Sequence, residues 1–179
     1  DLVVTDLNKE AVADVVAAGA TEGSYAEIGA ACDVVFVIVP SGDIVKSILF
    51  DENGVASTLK EGSIVCDMSS VTPVESKECY ARLKEQGVGF VDAPVSGGEP
   101  GAIAGTLAIM AGGDEKDFHA LKEYFDILGS SALLIGESGS GSVTKLANQI
   151  IVNNTIAVVS EAFVLAAKWN GKLDADYAC

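Results

Sequence analysis

The sequence has little of what metal sites and histidine-based catalysis require. Its only histidine is His119, and its four cysteines, Cys32, Cys66, Cys79 and Cys179, include no Cys-x-x-Cys pair. Structural zinc sites and catalytic triads need such residues in clusters, so we predict neither a triad nor a metal. Cysteines without a pairing pattern are typical of a reducing compartment, and we expect a cytoplasmic location.

Positive charge is also scarce. The chain has 11 lysine and arginine residues against 26 aspartate and glutamate residues, which gives a net charge of −15 at pH 7. Nucleic acids and anionic membrane surfaces select basic patches, so neither is expected as a partner. No signal peptide is recognised. The apolar run over residues 34–40 is too short to span a bilayer, and polar residues interrupt the longer stretch over residues 150–167. We therefore expect a soluble protein.

Apolar residues and glycine, by contrast, are abundant. Hydrophobic residues make up 49% of the chain, and 19 of its 179 residues are glycine. Apolar runs without alternation, such as residues 33–40 and 63–68, are separated by helical patterns, such as residues 9–18, 73–86 and 114–128. Strands of this kind are covered on both faces in a parallel sheet. The order of elements therefore predicts a Rossmann-type α/β fold with a doubly wound parallel sheet.

The pattern changes after the last predicted strand, which ends near residue 136. One long helical pattern follows, over residues 142–169, and no strand is predicted beyond it. We therefore predict an α/β domain over residues 1–138. Residues 139–179 would form an interdomain helix and the start of an all-α domain.

Open α/β sheets bind ligands beyond the carboxyl ends of their strands. We therefore take the residues that follow the predicted strands as candidates for the binding site. Asp6 is placed either to bond an adenine ribose or only to cap its strand. If it binds a ribose, it favours NAD over NADP, since its carboxylate would repel a 2′-phosphate. Val39 and Pro40 are placed to contact a flat ligand or to form an ordinary turn. Ser70 precedes a helix, where a hydroxyl can bind an anion or ribose, or cap the helix.

Two further segments carry polar groups that suit a small substrate. Ser96 offers a hydroxyl, and Gly97 and Gly98 allow backbone N–H groups to approach a carboxylate closely. Lys145 and Asn148 lie three residues apart near the start of the long helical pattern, which places them on one face, one turn apart. The alternative for Lys145 is a lysine that extends from a core helix toward water.

The last two segments together resemble signatures of the β-hydroxyacid dehydrogenases, the family of 3-hydroxyisobutyrate dehydrogenase and tartronate semialdehyde reductase. Residues 92–98, Asp-Ala-Pro-Val-Ser-Gly-Gly, are similar to its substrate-binding signature. Residues 141–149, Gly-Ser-Val-Thr-Lys-Leu-Ala-Asn-Gln, are similar to its catalytic-lysine signature. Within the family, the residues after the two glycines are most similar to the tartronate semialdehyde reductase branch. The resemblance implies an NAD-binding Rossmann domain, with NADP also possible, and a homo-oligomer for the full-length protein.

The resemblance also implies a reaction and its site residues. Hydride transfer from NAD(P)H would reduce tartronate semialdehyde to glycerate, with Lys145 as general acid/base. Asn148 would hold the substrate hydroxyl or carbonyl, and residues 96–98 would hold its carboxylate. The open alternatives are 3-hydroxyisobutyrate dehydrogenase, another β-hydroxyacid dehydrogenase, and a non-catalytic nucleotide-binding or structural α/β module.

One element of the family is not found in the sequence. A Gly-x-Gly-x-x-Gly loop is expected about 20 residues before the acid at Asp6, and the sequence contains none. We therefore expect the chain to lack the family's first strand and this loop. We also expect it to lack most of the family's C-terminal helical domain, which resembles that of 6-phosphogluconate dehydrogenase.

Overall fold

The computed structural model describes residues 1–169. The chain divides into two compact units, of which the first is Asp1–Lys145 and the second begins at Leu146. The described strands are β1 Val3–Val4, β2 Thr21–Glu22, β3 Val34–Val37, β4 Ile64–Asp67, β5 Gly89–Asp92, β6 Val95–Ser96, β7 Leu107–Gly113 and β8 Gly129–Gly136. The described α-helices are α1 Lys9–Ala17, α2 Tyr25–Ala31, α3 Gly42–Phe50, α4 Pro73–Lys84, α5 Gly98–Ala104, α6 Glu115–Ala120, α7 Lys122–Leu128 and α8 Ser140–Lys168. A short 3-10 helix covers Val55–Ser57.

The main sheet has six strands in the order β3-β4-β5-β7-β6, with β8 paired to β7. Strands β3, β4 and β5 are parallel, and their register aligns Val37, Asp67 and Asp92 in one row. Strands β1 and β2 form a separate two-stranded parallel sheet. The predicted Rossmann-type α/β class is confirmed.

The sheet is not parallel throughout, however. Strand β7 runs antiparallel to both β5 and β6, and β8 runs parallel to β7. Parallel neighbours need a crossover connection of a dozen or more residues, usually a helix, whereas antiparallel ones do not. The short β6 and α5 stand between β5 and β7 in place of such a crossover, so the chain reverses direction there.

The core lies on both faces of the main sheet. Val65 and Phe90 belong to one buried cluster, together with Leu49 of α3 and Leu83 of α4. Their strand neighbours Cys66 and Val91 belong to a second cluster on the other face, as do the residues Phe118, Leu121 and Phe125. Successive side chains of a strand point to opposite faces. Both positions therefore have to be apolar, and this explains the runs without alternation.

Local capping explains where helices α1 and α4 begin. Asn8 Oδ1 accepts hydrogen bonds from the backbone N–H groups of Glu10 and Ala11 at the start of α1. At α4, Thr72 Oγ1 accepts from Glu75 N, and Glu75 Oε2 accepts from Thr72 N at 2.9 Å. Such a reciprocal capping box satisfies two backbone donors that the helix leaves without a partner. The predicted starts of both helices are confirmed.

Several short elements were not predicted, and one predicted helix is divided. Strands β2 and β6 have two residues each, too few to show a pattern. Helix α5 has the loop-like sequence Gly-Glu-Pro-Gly-Ala-Ile-Ala, but its Pro100 lies in the first turn, where the missing N–H costs nothing. The single helix predicted over residues 114–128 is two helices, α6 and α7, which meet at Leu121.

Helix α8 differs from the others in length and exposure. It has 29 residues, and many of its apolar side chains beyond Lys145 are exposed, among them Ile150, Ile151, Val158 and Leu165. Among the described residues it is the one helix long and apolar enough to cross a membrane, by length and composition only. Core helices of soluble proteins share that composition. The expectation of a soluble protein therefore stays a prediction, as does the predicted domain boundary after residue 138.

Candidate functional site

The carboxyl ends of β3, β4 and β5 meet at one edge of the main sheet. Backbone hydrogen bonds continue the ladder beyond the strands, from Met68 N to Val37 O at 2.7 Å and from Ala93 N to Asp67 O at 2.7 Å. The segments that follow β3 and β4 therefore leave the sheet side by side, whereas the segment after β5 continues into β6, which pairs with β7. Most of the predicted cofactor and substrate residues lie on these segments.

Ser69 joins the segments after β3 and β4. Its hydroxyl accepts a hydrogen bond from Val39 N at 2.9 Å, and its own N–H donates to Asp67 Oδ1 at 2.9 Å. Pro40 and Ser70, next in each segment, are exposed. The helix cap here is Thr72, so the Ser70 hydroxyl is not used for capping. Val39, Pro40 and Ser70 are thus brought together at the sheet edge.

Asp6 follows a strand that is not part of the main sheet. It follows β1 in the two-stranded sheet, and no strand pairing within residues 1–169 joins that sheet to the main one. Its Oδ1 accepts a hydrogen bond from Asn8 N at 2.7 Å, and its side chain is exposed. One carboxylate oxygen therefore supports the start of α1, and the predicted bond to a ribose stays a prediction.

The predicted carboxylate-binding segment turns sharply after β6. Ser96 is half-buried and pairs with Ala108 of β7. Gly97 and Gly98 are exposed and have positive φ angles of 138° and 61°. Residues with a side chain rarely adopt such angles, so this turn depends on glycine. The result is an exposed backbone turn beside a hydroxyl.

Lys145 lies in the second turn of α8 and is partly buried. Within residues 1–169, no hydrogen-bond or ion-pair partner lies within reach of its ammonium group. Burial lowers the pKa of Lys145 from its usual value, because desolvation disfavours the charged form. Its proton is therefore easier to release than that of a lysine in water.

Asn148 belongs to the second unit and lies on the same helix. Its Nδ2 is buried and has no hydrogen-bond partner in the described part of the chain. A buried amide donor without an acceptor is unfavourable, so this atom is suited to an acceptor supplied by a ligand.

Asp92 anchors the start of α8, a role that was not predicted. The side chain is fully buried. Asp92 Oδ1 accepts a hydrogen bond from Gly139 N at 2.7 Å, and Oδ2 accepts one from Ser142 N at 2.9 Å. Burial raises the pKa of Asp92 while these two bonds act in the opposite direction. The structure therefore brings the start of the lysine helix to the strand that leads into residues 96–98. The one feature of the sequence that indicates this role is the position of Asp92, an acid at the end of an apolar run.

The first 136 residues match a known family of nucleotide-binding domains. Residues 1–136 match the family described as the NAD binding domain of 6-phosphogluconate dehydrogenase. The chain belongs to this family. NAD(P) is accordingly the cofactor class of this NAD-binding domain, and the predicted cofactor is confirmed at that level.

Relatives of this NAD-binding domain include hydroxyacid dehydrogenases. The chain is 44% identical over 142 residues to 2-hydroxy-3-oxopropionate reductase of Escherichia coli. This alignment covers 79% of this chain and 49% of that protein. The chain is 37% identical over 164 residues to 2-(hydroxymethyl)glutarate dehydrogenase of Eubacterium barkeri, and that alignment covers 91% of this chain and 54% of that protein. The resemblance to β-hydroxyacid dehydrogenases is confirmed. The chain spans about half the length of the curated relatives it matches.

A solved structure shows the same architecture. The crystal structure of 3-hydroxyisobutyrate dehydrogenase from Salmonella typhimurium superposes with a TM-score of 0.87 at 33% identity. The superposition covers 94% of this chain and 60% of that one. The fold of the NAD-binding domain is therefore shared with an enzyme of this class.

The residues present fit part of a dinucleotide. Pro40 and Ser70 offer an exposed apolar ring and a free hydroxyl at the sheet edge, where open α/β sheets bind such ligands. Asp6 uses one oxygen for Asn8 N, which leaves the other for a ribose hydroxyl. These residues suit the sugars and bases of NAD(P).

Proposed function

We propose that the full-length protein is an oxidoreductase that reduces tartronate semialdehyde (2-hydroxy-3-oxopropanoate) to glycerate with NAD(P)H. The observation that carries the proposal is the attachment of the lysine helix to β5. Through Asp92, the start of α8 is bonded to the strand end that leads into Ser96, Gly97 and Gly98. A proton donor and a carboxylate-binding turn are thereby joined at the carboxyl edge of an NAD-binding sheet.

Lys145 is the proposed general acid/base. When bound, NAD(P)H supplies the hydride for the aldehyde carbon. The Lys145 ammonium then donates a proton to the forming alkoxide oxygen, and the neutral amine takes a proton back in the oxidation direction. A lysine pKa lowered by burial lies nearer the working pH, which makes both protonation states accessible.

The remaining residues would position substrate and cofactor. The Ser96 hydroxyl and the N–H groups of residues 97–98 would hold the substrate carboxylate, which fixes the distance from the anion to the reacting carbon. The unsatisfied amide of Asn148 would donate to the substrate hydroxyl or carbonyl. Asp6, Val39, Pro40 and Ser70 would contact the cofactor, and the carboxylate of Asp6 favours NAD over NADP.

The choice of substrate is supported by the 44% identity to the reductase from Escherichia coli. A second candidate is oxidation of 3-hydroxyisobutyrate, which the likeness to the Salmonella dehydrogenase supports. Both reactions use the same residue roles, because each interconverts an aldehyde and a primary alcohol at one carbon of a molecule that also carries a carboxylate. The two substrates differ in the group on the carbon next to the reacting one, which is a hydroxyl in tartronate semialdehyde and a methyl group in 3-hydroxyisobutyrate.

The proposal is tested with purified full-length protein by following NADH and NADPH at 340 nm (a standard absorbance assay). We expect the highest kcat/KM for tartronate semialdehyde and NADH. A higher kcat/KM for 3-hydroxyisobutyrate with NAD would instead establish the second candidate. Binding of NADH without turnover of either substrate would identify a nucleotide-binding module and overturn the enzymatic proposal.

A further inference from the structure

The first turn of α8 has no capping side chain of its own. The residue before Ser140 is Gly139, which has none to offer, whereas the first N–H groups of any helix lack acceptors within the helix. Asp92 supplies the acceptors from a distant part of the chain, to Gly139 N and to Ser142 N. A single carboxylate therefore accepts hydrogen bonds from two backbone N–H groups at the start of this helix, one through each oxygen.

The turn also lies unusually close to the sheet. A Cβ atom on Gly141 would lie 2.3 Å from Met110 O and 2.5 Å from Asp92 O, both backbone atoms. Only glycine fits there. Ser142 Oγ lies 2.9 Å from Ser76 Oγ of α4, and both hydroxyls are buried. The start of α8 is thus held by β5, β7 and α4 together.

We infer that Asp92 is a positioning residue, whose carboxylate fixes Lys145 relative to the carboxylate-binding turn at residues 96–98. The inference rests on the proposed function. Lys145 lies three residues beyond Ser142, and Ser96 lies four residues beyond Asp92. Both halves of the candidate site are therefore tied through one buried side chain, which itself contacts neither substrate nor cofactor.

A carboxylate is suited to this role and an amide is not. An ionised aspartate accepts through both oxygens, and hydrogen bonds to a charged acceptor are roughly twice as strong as neutral ones. Negative charge is also favourable at the start of a helix. An asparagine would keep one acceptor but would direct an NH₂ group at a second backbone N–H. Asp92→Asn is therefore expected to break one of the two bonds at almost unchanged volume.

The test compares Asp92→Asn with Asp117→Asn in the full-length enzyme. Asp117 is also buried and lies at the other end of β5, where a Cβ on Gly89 would meet its carboxylate at 2.6 Å. We expect Asp92→Asn to lower kcat about 10- to 100-fold, as displacing a catalytic group by about 1 Å does. The Kd for NADH should change less than about twofold, since the inferred role concerns Lys145 and residues 96–98 and not the proposed cofactor-binding residues. Asp117→Asn should leave kcat within about twofold of wild type at a comparable loss of stability.

A pH profile separates positioning from a general structural effect. If the start of α8 loosens, water reaches Lys145, and the lysine pKa in the kcat/KM profile of Asp92→Asn should rise toward its usual value. Unchanged kcat and an unchanged profile in Asp92→Asn would overturn the inference. The proposed function would survive that result as long as the wild-type enzyme reduces the semialdehyde.

A second variant covers the case in which Asp92→Asn does not fold. Gly112→Ala leaves the carboxylate in place but introduces a Cβ 2.9 Å from Asp92 Oδ1 and 2.8 Å from Gly141 N. The added methyl group should push the strand and the helix start apart by a few tenths of an ångström. The same loss of kcat with retained NADH binding is expected, and full activity would count against the inference.

Discussion

Lys145 combines partial burial with the lack of an ion-pair partner among the described residues. It is partly buried, so that desolvation lowers its pKa, and no carboxylate in the described residues lies close enough to form an ion pair with it. A nearby carboxylate would favour the ammonium form and raise the pKa again. The absence of such a partner within residues 1–169 keeps the amine available to exchange a proton.

Lys145→Ala in the full-length enzyme should lower kcat at least about 100-fold, the usual minimum for removing a general acid/base. NADH binding should be little changed, because Lys145 acts on the substrate oxygen. Steady-state kinetics and NADH fluorescence titration measure the two quantities. Lys168→Ala, at the far exposed end of the same helix, is the control and should keep normal turnover. Near-normal turnover of Lys145→Ala would contradict the mechanism.

Asp67 shows the opposite effect of burial on an acid. Burial raises the pKa of Asp67 to about 6 from a usual value of 3.8, although hydrogen bonds from Ser69 oppose the change. The native protein then binds the proton more tightly than the unfolded chain. The free energy of unfolding therefore falls as the pH rises from about 4 to above about 6.

Asp67→Asn should remove this pH dependence, because asparagine cannot ionise yet keeps an acceptor for Ser69 N. Relative to wild type, the variant should gain stability between about pH 4 and pH 7, by at most about 3 kcal/mol. Urea unfolding at both pH values measures the difference. Asp92 remains in both proteins, so its own contribution cancels. Parallel pH curves for the two proteins would show that Asp67 titrates normally.

At the scale of elements, the turn from β6 into α5 depends on glycine conformation. Gly98 and Gly105 stand at the two ends of α5 and have nearly the same φ, 61° and 64°. A Cβ on Gly98 would meet only Pro100 at an ordinary 3.7 Å, whereas one on Gly105 would lie 2.8 Å from Ile127 O. Alanine is therefore unfavourable at both positions, and more so at Gly105.

Gly98→Ala and Gly105→Ala form a matched pair for this reason. Each should lower the free energy of unfolding by about 1 kcal/mol or more, the cost of left-handed backbone for a residue with a side chain. Only Gly98→Ala should raise the KM for the semialdehyde, by about tenfold, because its methyl group lies where the carboxylate is proposed to bind. Thermal unfolding and steady-state kinetics measure both effects. An equal KM for both variants would exclude residues 97–98 from the binding turn.

The elements that the sequence predicts are those whose patterns are local. Strands β3, β4 and β5 appear as apolar runs because both faces are covered, and α1 and α4 begin at recognisable caps. Helix α5 is missed because two glycines and a proline are typical of a loop. The role of Asp92 is missed for a different reason, since its partners Gly139 and Ser142 are 47 and 50 residues away. No local pattern encodes such a contact.

At the scale of the whole molecule, α8 exposes many apolar side chains beyond Lys145. Helices of this kind are covered in stable proteins, either by other helices or by lipid. The chain spans about half the length of its curated relatives, which have further sequence beyond the matched part. Exposed apolar surface larger than a few hundred Å² promotes association in solution.

The 179-residue chain by itself should therefore self-associate. Light scattering after size-exclusion chromatography should give a mass of about twice that of one chain or more. Ile150→Lys combined with Val158→Lys places two charges on the exposed face of α8 and should shift the chain toward the monomer. Ile103→Lys, at an exposed apolar residue of α5, is the control and should not. A monomeric wild-type chain would contradict this expectation.

The bonds from Asp92 to Gly139 and Ser142 also have a consequence for the order of folding. Contacts between residues 47 and 50 positions apart require a long loop to close, and the lost chain entropy is repaid only once the intervening strands are in place. We therefore expect the turn that sets Lys145 to form after β5 and β7 have paired. Refolding full-length protein should regain its sheet before it regains the proposed activity, and a brief local opening of this one turn should stop that activity while the sheet stays intact.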